Sequence, residues 1–322
     1  MDTQAPGNQA GRIVVVGSLN ADLTIYTQRL PAPGETLHGT GFTVNPGGKS
    51  ANQAVAAGKL GGNVSLVGAV GRDANGTMLL ESCAAANVDV SRVRRAEGVE
   101  TGVAVVTVDA HGENSIVISA GANGTLSPGD VEAAAAAFEG AAVLCLCLEV
   151  GLETVEAAAR AGADAGATVL LNLSPYAPIP ASLARLSNVL LVNAHEASQF
   201  LDGEQIPEPD AETSAWEPVL EHLVARGLQS AVVTLGAQGS VVLDSTAADA
   251  RIVRIAPTRV DAVDTTGAGD AFTGGVAARL AAGDDLADAA AFASVGAALA
   301  ATKKGTQAAY PDAAAVRARL NG

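Results

Sequence analysis

The chain has 322 residues, of which 48% are hydrophobic, 16% charged and 3% aromatic, and its formal net charge is −15. This length allows one large domain or two ordinary ones, and the acidic balance disfavours a nucleic-acid partner, because phosphate backbones are bound by basic surfaces. No apolar run reaches the roughly 18 residues that mark a membrane-spanning helix, so no membrane partner is expected.

The N-terminal residues 1–11, MDTQAPGNQAG, lack the basic and apolar regions of a signal peptide. We expect a disordered tail there and a single domain over residues 12–322. The cysteines, Cys83, Cys145 and Cys147, are too few and too scattered for a disulfide framework, which favours a reducing cytoplasm. Cys145 and Cys147 lie in the strand-like run AAVLCLCLE and are expected to be buried thiols rather than metal ligands.

Short apolar runs alternate with alanine-rich helical stretches along most of the chain. Near-continuously apolar strands that alternate with helices are typical of a mostly parallel sheet with helices on both faces. The sequence therefore predicts an α/β fold. The predicted strands are Ile13–Val16, Val64–Val70, Val143–Leu148, Thr168–Asn172, Val189–Val192 and Ala231–Leu235. The predicted helices are Ser50–Leu60, Gly76–Ala86, Leu152–Ala165, Ala194–Leu201, Glu217–Arg226 and, as the last two, Ala268–Ala282 and Leu286–Thr302.

Two segments interrupt this alternation. Ala21–Asn45 combines β-branched and turn residues, and Thr101–Ser119 has a hairpin pattern with DAHGEN as its turn. Together they predict a small antiparallel sheet that acts as a lid on the α/β body, although both could instead be extra edge strands. The acidic segment Gly203–Glu217 is predicted to be a surface loop.

The first glycine-rich motif is Asn45–Ala57, NPGGKSANQAVAA. It is not a phosphate-binding P-loop, because Thr43 stands where that motif requires glycine. A helix is predicted from Ser50, which places Lys49 and Asn52 near a first turn with free N–H groups. The motif favours contact with a polyhydroxylated ligand, and a tight turn with a solvent-facing lysine remains the alternative.

The second motif is Asp264–Gly275, DTTGAGDAFTGG. The small residues Gly267, Ala268 and Gly269 lead into a helix whose first N–H groups could bind an anion. Asp270 in that first turn is suited to take a proton from a hydroxyl that attacks a phosphoryl group. A glycine-flanked helix cap is the alternative. A third turn, Thr234–Gly239, TLGAQG, follows an apolar strand and suits phosphate or ribose contact.

The two motifs GGKSANQAVAAGKLG and DTTGAGDAFTGG, in this order, resemble the PfkB carbohydrate kinase family, and most closely its ribokinase members. The resemblance extends from about Ile13 to Pro311. It implies a ribokinase-like α/β fold with a β lid at about residues 21–45 and 101–119. Because exposed lid strands would otherwise leave open edges, we also expect the lid to join two copies of the chain in a homodimer.

The resemblance also implies roles for individual residues. It makes Asp270 the catalytic base, with Gly267, Ala268 and Gly269 as the anion hole. The residues that it implies for the sugar are Asn20, Ala21, Asp22, Gly48, Lys49, Ser50, Ala51, Asn52, Glu149 and Asp270. Those that it implies for ATP are Asn193, Thr234, Leu235, Gly236, Ala237, Gln238, Gly239, Gly269, Asp270 and Ser294, with Glu196 linked indirectly to Mg²⁺.

A monovalent cation site outside the reaction centre is a further implication of the resemblance. Its matching positions are Asp264, Thr266, Ala300, Lys303, Gly305 and Ala309, and the expected ion is K⁺. Ala309 departs from the family, which often has serine there. The alternative is that Asp264 caps the following helix or pairs with Lys303 or Lys304.

The function implied by the resemblance is ATP-dependent phosphorylation of ribose at its 5-hydroxyl. Fructose, deoxyribose and nucleosides such as adenosine remain alternative substrates, and a non-catalytic sugar-binding protein remains an alternative function. The polar set Asn20, Asp22, Lys49, Asn52 and Glu149 favours a small sugar. A nucleoside site would need apolar or aromatic groups around the base, and few of the chain's five Phe, three Tyr and one Trp lie near these motifs.

Overall fold

The computed structural model describes residues 11–249 and 251–321. The expected N-terminal tail, except for Gly11, lies outside these residues. The strands are β1 (Arg12–Val16), β2 (Asn20–Tyr26), β3 (Gly41–Gly47), β4 (Asn63–Gly71), β5 (Val88–Ala96), β6 (Gly102–Val108), β7 (Asn114–Ser119), β8 (Ala141–Leu146), β9 (Thr168–Asn172), β10 (Val189–Asn193), β11 (Ser230–Thr234), β12 (Ser240–Asp244) and β13 (Ile252–Ile255). The helices are α1 (Lys49–Lys59), α2 (Ala74–Ala85), α3 (Pro128–Ala133), α4 (Ala135–Phe138), α5 (Leu152–Asp164), α6 (Ala181–Leu186), α7 (Ala194–Phe200), α8 (Glu217–Ala225), α9 (Ala268–Ala282), α10 (Leu286–Ala301) and α11 (Ala313–Leu320).

The main sheet has the strand order β13-β12-β11-β10-β9-β8-β1-β4-β5. Seven neighbouring strands of this sheet are parallel: β11, β10, β9, β8, β1, β4 and β5. The strands β12 and β13 add an antiparallel edge beside β11. Adjacent residues of β1 face opposite sides, so Val14 and Val16 pack into one core, and Ile13 and Val15 pack into the other. Burial on both faces explains why these strands are almost entirely apolar.

Helices cover both faces of the sheet. The core on one face includes residues of α1, α2, α9 and α10, and the core on the other includes residues of α3 to α8. The predicted α/β architecture is therefore confirmed. Among the described residues, no helix combines the length and apolarity needed to cross a bilayer.

The lid segments form a second sheet of order β3-β2-β6-β7. Each hairpin, β2 with β3 and β6 with β7, is antiparallel, as expected. The two hairpins join through a parallel pairing of β2 with β6, which aligns Asn20 with Gly102. The predicted antiparallel sheet is thus two antiparallel hairpins with a parallel seam between them.

Two local expectations were wrong. The predicted loop Gly203–Glu217 contains a short 3₁₀ helix, Thr213–Trp216, and the side chain of Trp216 is fully buried. Helix α11 follows the two helices that were predicted to be last, and Asp312 caps it by accepting from the Ala315 N–H. Val316 is the buried residue of α11, and one buried position gives the sequence of this helix almost no amphipathic pattern by which it could be predicted.

Candidate active site

The predicted sugar and nucleotide residues lie at the carboxyl ends of the parallel strands. Asn20 and Glu149 follow β1 and β8, while Asn193 and Thr234 end β10 and β11. Open α/β sheets bind ligands at this edge, outside the carboxyl ends of their strands. The lid strand β2 begins at the same place, which brings Asp22 beside the edge.

Glu149 connects the first glycine motif to the centre of the sheet. Its Oε2 accepts hydrogen bonds from the Ser18 hydroxyl at 2.5 Å and from the Lys49 backbone N–H at 3.0 Å. The carboxylate therefore occupies the N-terminus of α1, where negative charge is favoured. Gly48 precedes this helix with φ +88°, and a Cβ there would lie 2.6 Å from the Asn20 backbone nitrogen. Only glycine allows the chain to pass so close to Asn20.

Asn20 is held by a residue that the sequence analysis missed. The side-chain Nδ2 of Asn123 donates to Asn20 Oδ1 at 2.7 Å and to the Leu19 carbonyl at 3.0 Å. Asn123 is buried in a 3₁₀ turn after β7 and carries no recognisable motif.

Gly47 faces Asp22, because a Cβ on Gly47 would overlap the Asp22 carboxylate. The observed position of the Asp22 carboxylate thus depends on the missing side chain of Gly47.

Asp270 lies in the first turn of α9 and is 6% exposed. Its Oδ2 accepts from Asn52 Nδ2 at 3.0 Å, and its Oδ1 accepts from Gln53 Nε2 at 3.2 Å. Gln53 was not among the predicted residues, although it lies next to Asn52 in the first motif. Helix α1 therefore binds both oxygens of the predicted base.

The titration of this region follows from burial and from crowding of like charges. Burial raises the pKa of Asp270, and Lys49 and the two amides counteract part of that increase. Burial, then Glu149 and Asp270, raise the pKa of Asp22 to about 7. Burial lowers the pKa of Lys49, but Asp270 and Glu149 raise it by more, so its net direction is upward. Lys49 therefore supplies positive charge near the carboxylates of Asp270 and Glu149.

The turn before α9 has the shape of an anion site. Gly267 adopts a left-handed conformation with φ +74°, and the Tyr310 hydroxyl donates to its carbonyl at 3.1 Å. The N–H groups of Gly269 and Asp270 lie in the first helical turn, where they have no intrahelical acceptor. The Ala268 N–H differs, because it donates to the Thr265 carbonyl at 3.1 Å. In this conformation the Ala268 N–H is therefore bonded within the turn and is not available for the predicted anion hole.

A cavity of about 690 Å³ adjoins this turn. Of the predicted nucleotide residues, those in its wall are Thr234, Gly236, Ala237, Gly239, Gly269 and Ser294. Leu235 instead packs against the core, and Gln238 is exposed. The segment Pro257–Ala262 and the side chain of Phe272 also line the cavity and were not predicted. Their sequence, PTRVDA, has no feature that distinguishes it from an ordinary connection.

Asn193 and Glu196 form a capping box at the start of α7. The Glu196 N–H donates to Asn193 Oδ1 at 2.8 Å, and the Asn193 N–H donates to Glu196 Oε2 at 2.9 Å. The pair therefore has a structural role. Glu196 also contributes to the negative potential that raises the pKa of Lys49.

Asp264 connects the turn before α9 to the chain after α10. Its two oxygens accept from the Thr266 N–H at 2.9 Å and from the Gly305 N–H at 3.0 Å. Burial favours the neutral acid, but the bonds from Thr266 and Gly305 outweigh it and lower the pKa of Asp264. Ala300, which was predicted with this site, offers a carbonyl that accepts from the Lys303 N–H at 3.2 Å. Asp264 therefore stays ionised and holds two segments together.

Within residues 11–249 and 251–321, no group of three or more His, Cys, Asp and Glu side chains could hold a metal ion. The sulfur atoms of Cys145 and Cys147 are buried and unpaired, as expected. Burial raises the pKa of each of these thiols to about 12.

Comparisons with known proteins show the family and the fold of the chain. The chain matches the pfkB family carbohydrate kinases over residues 10–313. It is 35% identical over 316 residues to a ribokinase of Schizosaccharomyces pombe, covering 96% of this chain and 98% of that protein. It is 36% identical over 300 residues to a deoxyribokinase of Salmonella typhi, covering 93% and 95%. An Arabidopsis thaliana ribokinase solved with ribose and ATP superposes with a TM-score of 0.87 at 30% identity, covering 97% and 99%.

Proposed function

This chain belongs to the pfkB family of carbohydrate kinases, and we propose that it transfers the γ-phosphoryl group of ATP to the 5-hydroxyl of D-ribose. The observation that carries the proposal is the position of Asp270. It is buried in the first turn of α9, where Asn52 and Gln53 bind its two oxygens, and the neighbouring Gly269 lines the cavity of about 690 Å³. A base in that position can contact a hydroxyl on one side and a phosphoryl group on the other.

The sugar binds through the polar groups beside the lid. Asn20, Asp22, Lys49, Asn52 and Glu149 hold its hydroxyls, with the backbone of Ala21, Gly48, Ser50 and Ala51 shaping the pocket. The alternation of ammonium, amides and carboxylates supports a small polyhydroxylated ligand, because each hydroxyl both donates and accepts. A ligand that left these buried groups unpaired would be rejected.

ATP occupies the cavity, with its phosphates towards the first turn of α9. The 5-hydroxyl oxygen attacks the γ-phosphorus, the bond to the β-bridging oxygen breaks, and ADP leaves with that electron pair. The hydroxyl proton passes to Asp270, which Lys49, Asn52 and Gln53 favour in its ionised form. The N–H groups of Gly269 and Asp270 stabilise the charge on the phosphoryl oxygens.

Mg²⁺ neutralises phosphate charge when it is bound with ATP. Glu196 suits an indirect role in holding it, because its carboxylate is buried at the start of α7, where one oxygen caps the helix, and it adds to the negative potential at Lys49. Asn193 supports that position through the same capping box.

K⁺ is proposed to bind at the loop that Asp264 holds. The donor set fits a hard monovalent ion, because it combines one ionised carboxylate with the backbone carbonyls of Thr266, Ala300, Lys303, Gly305 and Ala309. Ala309 supplies no hydroxyl, so Asp264 is the main charged ligand. The ion would stabilise the turn that contains Gly267 without contacting the sugar.

The lid is proposed to join two copies of the chain. Register places Val44 opposite Leu23, Leu23 beside Val105, and Val105 opposite Val117, so these side chains form one apolar row across all four strands. Val44, Val105 and Val117 are 41%, 43% and 68% exposed. An exposed row of this kind supports an interface. The unpaired buried thiols support a reducing, cytoplasmic setting.

Deoxyribose is the second candidate substrate, because a deoxyribokinase is among the relatives. The test is an ADP-release assay with ribose, deoxyribose, fructose and adenosine, using Asp270→Asn as the inactive control. We expect the highest kcat/KM for ribose. A higher value for deoxyribose would assign the second function, and ADP release from no sugar would support the non-catalytic alternative.

A further inference from the structure

A buried chain of amides leads away from Asp270 through Asn52. Asn52 donates from Nδ2 to Asp270 and accepts on Oδ1 from Gln307 Nε2, which lies 3.0 Å away. Gln307 is 3% exposed and lies in the segment between α10 and α11. We propose that Gln307 is a positioning residue, which holds the amide of Asn52 in the one orientation that supports the base.

The proposal follows from the asymmetry of a side-chain amide. Asn52 has one acceptor oxygen and one NH₂ group, so a donor at its oxygen leaves the NH₂ group on the Asp270 side. Rotation of the amide by 180° would instead place its oxygen against a carboxylate oxygen, with no proton between them. The N–H from Gln307 opposes that rotation.

Gln307 is itself anchored at both ends. The Ser82 hydroxyl donates to its side-chain oxygen at 2.7 Å, which leaves its NH₂ group directed at Asn52. The ammonium of Lys59 donates to its backbone carbonyl at 2.6 Å. Lys59 and Asn52 lie on the same helix, α1, so the anchor and the target move as one body.

The orientation of Asn52 matters on two sides. One of its N–H groups binds Asp270, and the second remains available for a sugar hydroxyl. Loss of Gln307 would therefore weaken the support of the ionised base and disturb the placement of the hydroxyl that it must deprotonate. Because both effects act on the reacting groups, loss of Gln307 should reduce kcat more than it reduces the stability of the folded protein.

The test is a double-mutant cycle with Gln307→Met and Asn52→Ala. Gln307→Met keeps the length of the side chain and its neutral charge but removes both amide hydrogen bonds. We expect kcat for ribose to fall by about five- to tenfold. Because Gln307 acts through Asn52, Gln307→Met should have no further effect in the Asn52→Ala background. A full additive loss there, or wild-type kcat in the single variant, would overturn the proposal.

Asn188→Ala is the control, since it removes a side-chain hydrogen bond, from the Val169 N–H at 2.8 Å, at the amino ends of β9 and β10 and away from the amides around Asp270. It should lower Tm and leave the pKa of Asp270 unchanged. That pKa is measured by NMR on protein labelled with ¹³Cγ-aspartate, with the signal assigned by Asp270→Asn. Gln307→Met should raise it, because a freely rotating Asn52 no longer stabilises the carboxylate. The same pKa in Gln307→Met and Asn188→Ala would reduce Gln307 to a structural contact.

The inference rests on the proposed kinase activity for its kinetic part only. The NMR titration does not require turnover, so the two can fail separately. A wild-type protein that phosphorylates no sugar would remove the proposed function, while the pKa of Asp270 in Gln307→Met would still decide the role of Gln307.

Discussion

The hydroxyl of Tyr310 donates to the backbone carbonyl of Gly267 at 3.1 Å, although the two residues belong to different segments. Gly267 is the left-handed residue before α9, and a Cβ there would lie 2.7 Å from that hydroxyl. The chain after α10 therefore supports the turn before α9, which we propose binds the phosphoryl group. Its hydrogen bond and its close packing both require glycine at position 267.

The first prediction concerns this contact. Tyr310→Phe should lower kcat by roughly fivefold, because it loses one buried hydrogen bond of about 1 kcal/mol to the turn that binds the phosphoryl group. The KM for the sugar should hardly change. Tyr176→Phe is the matched control, since the Tyr176 hydroxyl donates to the Gln199 carbonyl at 3.0 Å on the exposed side of α7. Equal kcat values in the two variants would contradict the role assigned to Tyr310.

The second prediction concerns the base. Asp270→Asn should lower kcat by about 10²- to 10⁴-fold, because the amide cannot accept the hydroxyl proton. Sugar binding should persist, since the replacement has nearly the same shape. Calorimetry with ribose and single-turnover kinetics measure the two effects separately. A variant with near-normal kcat would show that another group is the base.

The third prediction uses the raised pKa of Asp22, which burial and the neighbouring carboxylates bring to about 7. The folded protein holds this proton more tightly than the unfolded chain, so Asp22 reduces stability progressively as the pH rises from about 4 to about 7. Asp22→Asn removes this loss. The Tm of the variant minus that of the wild type, measured without sugar, should increase from pH 5 to pH 7 and then level off. A constant difference over this range would show that the pKa of Asp22 is ordinary.

The fourth prediction concerns the lid. Val117→Lys should convert a dimer into a monomer, because it places a charge in the apolar row on one face of the lid. Light scattering at micromolar concentration measures this change. Ile118→Lys is the matched control: Ile118 is also exposed, but register places it beside Ala104 and Asp22, on the opposite face. This variant should remain a dimer with a raised KM for ribose. A wild-type protein that is monomeric and fully active would exclude the proposed pairing.

The fifth prediction concerns the cation. Potassium, compared with tetramethylammonium at equal ionic strength, should raise kcat more than it changes ribose affinity, because the ion orders a turn used in the transition state. Asp264→Ala should abolish this response, since the loop then has no charged ligand. Wild-type activity that is equal in both salts would leave Asp264 with its structural role, the link from Thr266 to Gly305.

The sequence was informative where a function depends on neighbouring residues. Asp270 and the glycines before it form one local motif, and the alternation of strands and helices predicted the α/β body. The residues that support the site were not predictable in this way. Gln307 contacts Asn52 across 255 positions of the chain, and Asn123 contacts Asn20 across 103. Such pairs depend on the packing of distant elements, and neither amide carries a motif of its own.

Element boundaries show the same limit. The predicted helix Ala268–Ala282 has the observed ends, because glycine stands beyond both of them. Trp216 was placed in a loop because its neighbours are acidic and polar, yet tertiary packing buries it completely. A single large side chain can override the composition of its segment, and a local pattern cannot reveal this.

The parallel seam between β2 and β6 also bears on how the chain folds. Strand β2, which begins at Asn20, pairs with β6, which begins at Gly102. The chain between them contains β3, α1, β4, α2 and β5, and it must be brought into a closed loop before the two strands can pair. Non-local pairings of this kind form late, since the entropy of closing the intervening chain must be overcome first. The hairpin of β6 and β7 is local and can form early, but it has no body to attach to until β4 and β5 are in place. We therefore expect the seam to form after the β6–β7 hairpin. Because β2 and β6 are more exposed than β1 and β8, the amides of the seam should exchange with solvent before those of β1 and β8.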